Sequence, residues 1–314
     1  MIRPLHPIDM PSYLAFARNA HHGDGLEDCG DGPLSHRFLD FLGRSLPLDR
    51  PRQTWIYTEQ HTIVGMVAVR RRRGTAVWEI DRLAGLDSPR AEVALESLLD
   101  HLAALGGEEG VQKIFLRLPT ASPLLPIARR AGFVVYASER IWRGDPRPRP
   151  ELDVRVALRP RRGMDHQALF EHYVRAVPAR TRQAEGMTLQ EWRWLDGWQP
   201  RRHWRFDLRR SRQDLVLESA GRVLAWVSVE PLRRVMRLSL DPQLLRGSQV
   251  DGILANALLN LPVDGAVSCP AREYQAELEA ALSRLGFVPT AERALMVRHL
   301  TVRVGDRCLV PVGA

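Results

Sequence analysis

The sequence predicts an α/β (α+β) chain built as two tandem copies of one module, each a mixed, mostly antiparallel sheet flanked by helices. Three observations predict it. First, "ARRAGFVVYASERIW" (Ala128–Trp142) returns as "LSRLGFVPTAERALM" (Leu282–Met296), with Gly132 matched to Gly286 at an offset of 154. Second, "IRPLHPIDMP" (Ile2–Pro11) pairs with "LRPRRGMDHQ" (Leu158–Gln167) at an offset of 156, and "TIVGMVAV" pairs with "RVLAWVSV" at 160. Short apolar strings match by chance, but three matches in one order at a nearly constant shift indicate a duplicated module. Third, "RGDPRPRPELD" (Arg143–Asp153) separates the copies, and its prolines block both helix and central strand. The expected boundaries are 1–145, a linker at 146–153, and 154–314.

Each copy reads in the same order. An opening strand leads to a helix, "DMPSYLAFARNA" in the first copy and "MDHQALFEHYVRAV" in the second, where Ala168, Leu169, Tyr173 and Val177 recur at helical spacing. A polar loop and a second helix follow, "PLSHRFLDFLGRS" or "TLQEWRWLDGW". Then comes a meander of short β-branched and aromatic strands: "QTWIYTEQ", "TIVGMVAVR" and "AVWEIDRLAG", or "DLVLES", "RVLAWVSVE" and "VMRLSLD". Next is a helix ("SPRAEVALESLLDHLAAL" or "QVDGILANALLNL"), a buried strand ("KIFLRLP" or "GAVSCP"), and a last helix that stops at Gly132 or Gly286. A glycine there fits the left-handed residue that closes a helix. His166 and His172 lie six apart on poorly matched helix faces and read as surface residues.

Composition narrows the function. At 314 residues, 45% hydrophobic and 26% charged, the chain suits two globular domains. It contains no apolar run long enough to span a bilayer and no signal-peptide core. A cytoplasmic protein without a membrane partner is expected. Cys29, Cys269 and Cys308 are widely spaced and form no CxxC pair, so neither a disulfide framework nor a structural zinc site is expected. "HHGDGLEDCGDG" (His21–Gly32) crowds potential ligands, but its spacing fits no metal site; it reads as a mobile loop from which His21, Asp24 and Glu27 could touch an acceptor. The net charge is +8 and Lys113 is the only lysine, so the basic charge is almost all arginine. A nucleic-acid partner is not expected, because no recognition motif accompanies the charge.

The element order resembles the GNAT (N-acetyltransferase) superfamily. The residues that carry the resemblance are the "IRPL…D" opening, "VGMVAV", "EIDRLA", and the helix–Gly-Phe–strand units "RRAGFVVY" and "SRLGFVPT". It covers almost the whole chain, in two copies. The resemblance implies a sheet splayed between two central strands, acetyl-CoA as cofactor in the splay, and its pyrophosphate on the loop that opens the following helix. A helix N-terminus offers oriented N–H donors and a favourable dipole, and glycines let the phosphates approach.

The family's R/Q-x-x-G-x-G/A pattern is degenerate in both copies. In the first, Arg90 takes the basic position and Ala91, Val93 and Leu95 stand where glycines usually do. In the second, Arg246-Gly247 survives, while Gln249 and Asp251 replace the later glycines. Asp251 would set a negative charge beside a pyrophosphate. The cofactor-binding candidates are Leu238, Leu240, Arg246, Gly247, Ser248 and Arg90.

For chemistry, Glu79 and Asp81 share a strand face, and the resemblance makes one of them the candidate base; the competing reading is a partner for a nearby arginine. The corresponding second-copy positions are Arg237 and Ser239. The family's acid position holds Ala128 and Leu282, so nearby Tyr274 is the candidate acid, with packing as the competing reading for it and for Tyr136. Trp192, Trp194, Trp198 and Trp204, interleaved with arginines, read as core or as a stacking surface. The expected activity is acetyl-CoA-dependent acyl transfer to an unidentified small-molecule or peptide amine. The alternative is a tandem GNAT-fold binding or scaffold protein that has lost catalysis. The sequence specifies neither the acceptor nor the oligomeric state.

Overall fold

The computed structural model describes residues 1–24, 52–71, 76–145, 156–186, 212–243, 247–261 and 265–301. The chain divides into two compact units, one of residues 1–134 and 296–314, the other of residues 135–295. Each is a mixed sheet, mostly antiparallel, flanked by helices.

The first unit opens with β1 (Ile2–Pro4), α1 (Met10–Asn19) and β2 (Ala20–Asp24). The meander is β3 (Arg52–Glu59), β4 (Thr62–Arg71) and β5 (Val77–Leu86), followed by α2 (Pro89–Glu108), β6 (Lys113–Pro119) and α3 (Leu124–Arg130). β1, β3, β4 and β5 pair antiparallel in turn, and β5 pairs with β6 in parallel. β4 is buried over a continuous run from Ile63 to Val69, as a strand covered on both faces must be. α2 starts where it should: Ser88 caps it, Pro89 occupies the first turn, and Ala91, Ala94, Leu95, Leu98, Leu99 and Leu102 form one buried stripe. Each leucine buried there contributes about 1.5–3 kcal/mol. Gly85 lets α2 sit close, since a Cβ on it would lie 2.6 Å from Leu95 Cδ1.

The second unit repeats this order with β8 (Arg159–Pro160), α4 (His166–Ala176), a short α5 (Ala179–Glu185), β9 (Gln213–Ser219), β10 (Arg222–Glu230) and β11 (Val235–Leu240). It continues with α6 (Ser248–Leu258), β12 (Val267–Arg272) and α7 (Ala276–Arg284). β8 to β11 pair antiparallel, and β11 meets β12 in parallel.

β7 (Val134–Gly144) pairs antiparallel with β12 from Val267↔Gly144 to Arg272↔Glu139. Residues 135–144 therefore build the second sheet although they precede the Pro/Arg linker in sequence. Gly144 is obligatory at this contact: a Cβ would lie 2.5 Å from the Phe287 ring. β13 (Val288–His299) follows α7, and its end serves the first unit, where Leu300 N–H donates to the Gln112 carbonyl at 2.8 Å and Arg298 pairs with Asp100 at 2.8 Å.

The repeated phrase is a repeated helix stop. Gly132 (φ 78°) and Gly286 (φ 82°) are left-handed. In the first copy Phe133 N–H reaches the Ala128 carbonyl and Gly132 N–H the Arg129 carbonyl; in the second, Phe287 reaches Leu282 and Gly286 reaches Ser283. This is one Schellman motif twice, with each phenylalanine 2% exposed.

Two local expectations change. His21–Asp24, which reads as the start of a loop, belongs to strand β2. His172, which reads as a surface residue, is 1% exposed because α4 turns that face onto β10 and β11. The helices expected at 33–45 and 188–198, the tryptophans of 192–204 and Glu27 lie outside the described residues.

Candidate functional site

Parallel neighbours that diverge leave a crevice beyond their carboxyl ends, and ligands of open α/β sheets collect there. Both units have such a pair. β5 and β6 are in register only from Val77↔Lys113 to Glu79↔Phe115; β11 and β12 only at Val235↔Ser268. What fills the opening differs.

In the first unit the opening is taken by the chain itself. β5 uses one edge for β4, from Gly65↔Gly85 to Ala68↔Arg82. The same residues use the other edge for β2, from Ala20↔Leu86 to Asp24↔Arg82. That second edge is the one an extended ligand would need. The start of α2 is equally committed. Pro89 has no N–H, and Ala91 N–H is held by the Ser88 side chain at 3.2 Å and by the Ser88 carbonyl at 3.0 Å. A cavity of about 310 Å³ lies beside it, lined by Leu86, Asp87, Glu92, Leu95, Leu124 and Ile127 among others. Its charged lining residues, Asp87 and Glu92, are both acidic, and Glu92 is paired with Arg130 at 3.0 Å. Arg90 is exposed, 3.9 Å from Glu59. Val93 points to solvent and Leu95 inward.

Glu79 and Asp81 are brought together, around Arg70. Glu79 is 3% exposed; its Oε2 accepts from Arg70 Nη2 at 2.9 Å, and its Oε1 lies 3.9 Å from Arg117 Nη2. Asp81 Oδ1 is 3.7 Å from Arg70 Nε. Glu79 belongs to the last register pair before β5 and β6 separate, at the closed end of the crevice.

In the second unit no strand among the described residues enters the opening. Leu238 and Leu240 lie on β11 and are buried. Gly247 precedes α6 with φ 51° and ψ −122°, a conformation reserved for glycine, and a Cβ there would meet nothing within 4 Å. Val250 and Asp251 both donate their N–H groups to the Gly247 carbonyl. Ser248 starts the helix, where N–H groups have no partner within it. The Asp251 carboxylate is gripped by Arg284 on α7, with Nη2 at 2.7 Å and Nε at 3.1 Å. Its charge is thus compensated locally. Arg246 lies outside the described residues. Of the two helix starts, this one carries the left-handed glycine; beside both, a first-turn carboxylate is paired with an arginine.

The carboxyl end of β12 carries a polar group drawn from segments far apart in the sequence. Arg272 ends the strand; its Nη2 is 3.5 Å from Glu185 Oε1 on α5 and its Nε 3.7 Å from Glu139 Oε2 on β7. Tyr173 on α4 donates to Glu185 Oε2 at 2.7 Å. Tyr136 and Tyr274 lie close enough to Arg272 to act on its charge. Burial opposes that charge and the Glu185 and Glu139 carboxylates favour it; Tyr136 and Tyr274 would add to it only as phenolates. Burial also pushes the Tyr274 phenol up to about 12, against the pull of Arg272, so it is a protonated donor at neutral pH. Gln275 crosses the opening: its Nε2 donates to the Leu238 carbonyl at 2.8 Å and its Oε1 accepts Arg272 N–H at 2.9 Å. The signal was present as "AREYQAE", a polar cluster between a buried strand and a helix.

Beside this group, His172 Nδ1 is 3.2 Å from the Val223 carbonyl, and Nε2 is 3.0 Å from Ser239 Oγ. Nε2 also lies 3.2 Å from the Ser239 carbonyl, so a neutral ring can donate to the Val223 carbonyl from Nδ1 and accept from the Ser239 hydroxyl, or donate from Nε2 to Ser239 instead. Burial holds its pKa below the usual imidazole range; Asp241 opposes this and Arg175 adds to it. Among the described residues no His/Cys/Asp/Glu group forms a metal site, and no helix is long and apolar enough to cross a membrane.

No family model matches the sequence, and no curated protein matches it. Solved structures do. A tandem GNAT protein from the clavulanic acid biosynthesis pathway aligns over 95% of this chain and 98% of its own, with TM-score 0.52 and 14% identity. A GCN5-related N-acetyltransferase from Sphaerobacter thermophilus aligns over 95% of both chains, with TM-score 0.54 and 15% identity. A putative acetyltransferase from Pyrococcus horikoshii covers 96% of this chain and 90% of its own, with TM-score 0.54 and 13% identity. At these identities the likeness is one of fold. With its two splayed sheets and its twice-used Gly-Phe helix stop, the chain has the tandem GNAT fold.

Proposed function

We propose that the protein is an acyltransferase that binds acetyl-CoA in its second unit and transfers the acyl group to an amine, with the first unit as a supporting copy. One observation carries the assignment to the second unit: β2 occupies the ligand edge of β5, whereas among the described residues no strand pairs with β11 beyond its one register pair with β12.

The second unit's residues divide the work. Arg246, Gly247 and Ser248 would receive the pyrophosphate at the start of α6, and Leu238 and Leu240 would line the arm. When bound, the thioester supplies an electrophilic carbonyl. Glu185 and Glu139, both paired with Arg272, would be the carboxylates nearest the reacting amine. Tyr274 keeps its proton at neutral pH and is the donor for a departing thiolate. The forming bond is C–N and the breaking bond C–S. Glu79, tied to Arg70 in the first unit, has no part in this assignment.

The test is thiol release from acetyl-CoA in the presence of an amine panel. Turnover should persist in Glu79→Gln and fall at least 10-fold in Tyr274→Phe. Turnover lost in Glu79→Gln and kept in Tyr274→Phe would move the chemistry to the first unit. Acetyl-CoA binding without thiol release from any amine would support the second reading, a ligand-holding protein, which the Gln275 bridge across the crevice favours.

A further inference from the structure

Ser239 and His172 form a pair that the chemistry proposed above leaves unused. Along β11 the side chains alternate: Leu238 and Leu240 are buried, while Ser239, between them, turns to α4 and meets His172. Ser239 Oγ lies 3.0 Å from His172 Nε2, within reach of a hydroxyl hydrogen bond. His172 is 1% exposed, and Ser239 stays partly exposed. β11 and β12 are in register at Val235↔Ser268, and Ser239 lies beyond that pair, on the stretch of β11 that borders the crevice.

The ring's surroundings select the place of its proton. Nδ1 faces the Val223 carbonyl at 3.2 Å; Nε2 faces the Ser239 hydroxyl at 3.0 Å and the Ser239 carbonyl at 3.2 Å. With the proton on Nε2, the Nδ1 lone pair would point at a carbonyl, which has no hydrogen to give. With the proton on Nδ1, that contact becomes a hydrogen bond, and Nε2 accepts from a hydroxyl that rotates to suit. Burial keeps the ring neutral at pH 7; Asp241 favours an imidazolium and Arg175 opposes it. Arg175 is itself tied to Asp241 and to the Val223 carbonyl, both at 3.1 Å, which fixes the carbonyl that orients the ring. A hydroxyl, a neutral imidazole and a third group that orients the imidazole are the parts that activate a serine.

We infer that Ser239 is an acyl-accepting nucleophile with His172 as its general base, so that acyl transfer in the second unit runs through an acyl-serine. In the first step Ser239 Oγ attacks the thioester carbonyl carbon. The C–O bond forms, the C–S bond breaks, the hydroxyl proton goes to His172 Nε2, and Tyr274 protonates the departing thiolate. In the second step the amine attacks the ester. The C–N bond forms, the C–O bond breaks, the imidazolium returns its proton to Oγ, and the Tyr274 phenolate takes the proton of the amine. The inference rests on the acyltransferase reading for its acyl donor. The reactivity of Ser239 toward an activated ester does not need that donor.

The experiment incubates the full chain with p-nitrophenyl acetate, and separately with acetyl-CoA in the absence of an amine, and maps acetylated residues by peptide mass spectrometry. Both donors should leave an acetyl group on Ser239. Ser239→Ala should abolish that modification. His172→Gln should slow it at least 10-fold, while the melting temperature, followed separately, confirms a folded protein. Ser239→Cys, which keeps a nucleophile beside the imidazole, should be acetylated at the same position. No acetyl group on Ser239 from either donor, or an unchanged rate in folded His172→Gln, overturns the inference. Acetyl-CoA titration and thiol release keep the two claims apart. Thiol release to an amine without acetylated Ser239 sinks this inference alone and leaves direct transfer. Acetylated Ser239 from p-nitrophenyl acetate without acetyl-CoA binding supports the nucleophile and sinks the acetyl-CoA reading.

Discussion

Arg3 holds Asp9 through two parallel hydrogen bonds, at 2.6 and 2.7 Å, and Arg159 holds Asp165 in the same way at 2.9 and 2.8 Å. Each aspartate also accepts a backbone N–H three residues upstream, from His6 or Arg162. The duplicated "R-P…D" phrase is therefore a duplicated clamp that ties the opening strand to the first helix.

Removing the clamp should destabilise its own unit. Asp165→Asn should cost about 1–3 kcal/mol at pH 7, because charge-assisted hydrogen bonds are lost from a buried site. The arginine holds each aspartate below the usual carboxylate range, chiefly through these hydrogen bonds. A lowered pKa stabilises the fold above the unfolded value and is lost as pH falls toward the folded one. Urea melts should show wild type and Asp165→Asn converging as pH drops below about 4. A constant difference down to pH 2 would contradict this.

His172 gives the opposite test on the imidazole. Its folded pKa is lowered, so protonation favours the unfolded state, and stability should decline as pH falls below about 6.5. His172→Gln retains a donor and an acceptor and should flatten the profile between pH 5 and 7. Differential scanning calorimetry across that range checks it.

The helix stops should respond alike. Gly132→Ala and Gly286→Ala force a Cβ into left-handed backbone and should each cost about 1–2 kcal/mol. The matching hairpins should not. Ala220-Gly221 makes the β9–β10 turn with φ 48° and 73°, while the β3–β4 turn uses Gln60 and His61 at 44° and 67°. His61→Gly should therefore stabilise the protein, by about 0.5–1 kcal/mol. Thermal melts distinguish the signs.

The parts of the fold that were legible are those in which local chemistry decides structure. Gly-Phe after a helical run, Ala-Gly between β-branched runs and Ser-Pro before an apolar stripe each name their conformation. Strand destination was not legible: Val135–Gly144 looks alike whichever sheet it joins, and only pairing with β12 decides. β2 was hidden because "AHHGD" has low strand propensity and gains its structure from an open edge of β5. His172 was misread because its polar ring is satisfied by Val223 and Ser239, 51 and 67 residues away. The Arg272 group was missed for the same reason, being drawn from β7, α4, α5 and β12.

The central claim is that the second unit, not the first, holds the acyl-CoA cleft. Titration of acetyl-CoA into the full chain tests it most directly. The account predicts one equivalent bound, with affinity reduced at least 10-fold by Arg246→Ala and changed less than 2-fold by Arg90→Ala. Two equivalents, none, or a larger loss from Arg90→Ala would contradict it.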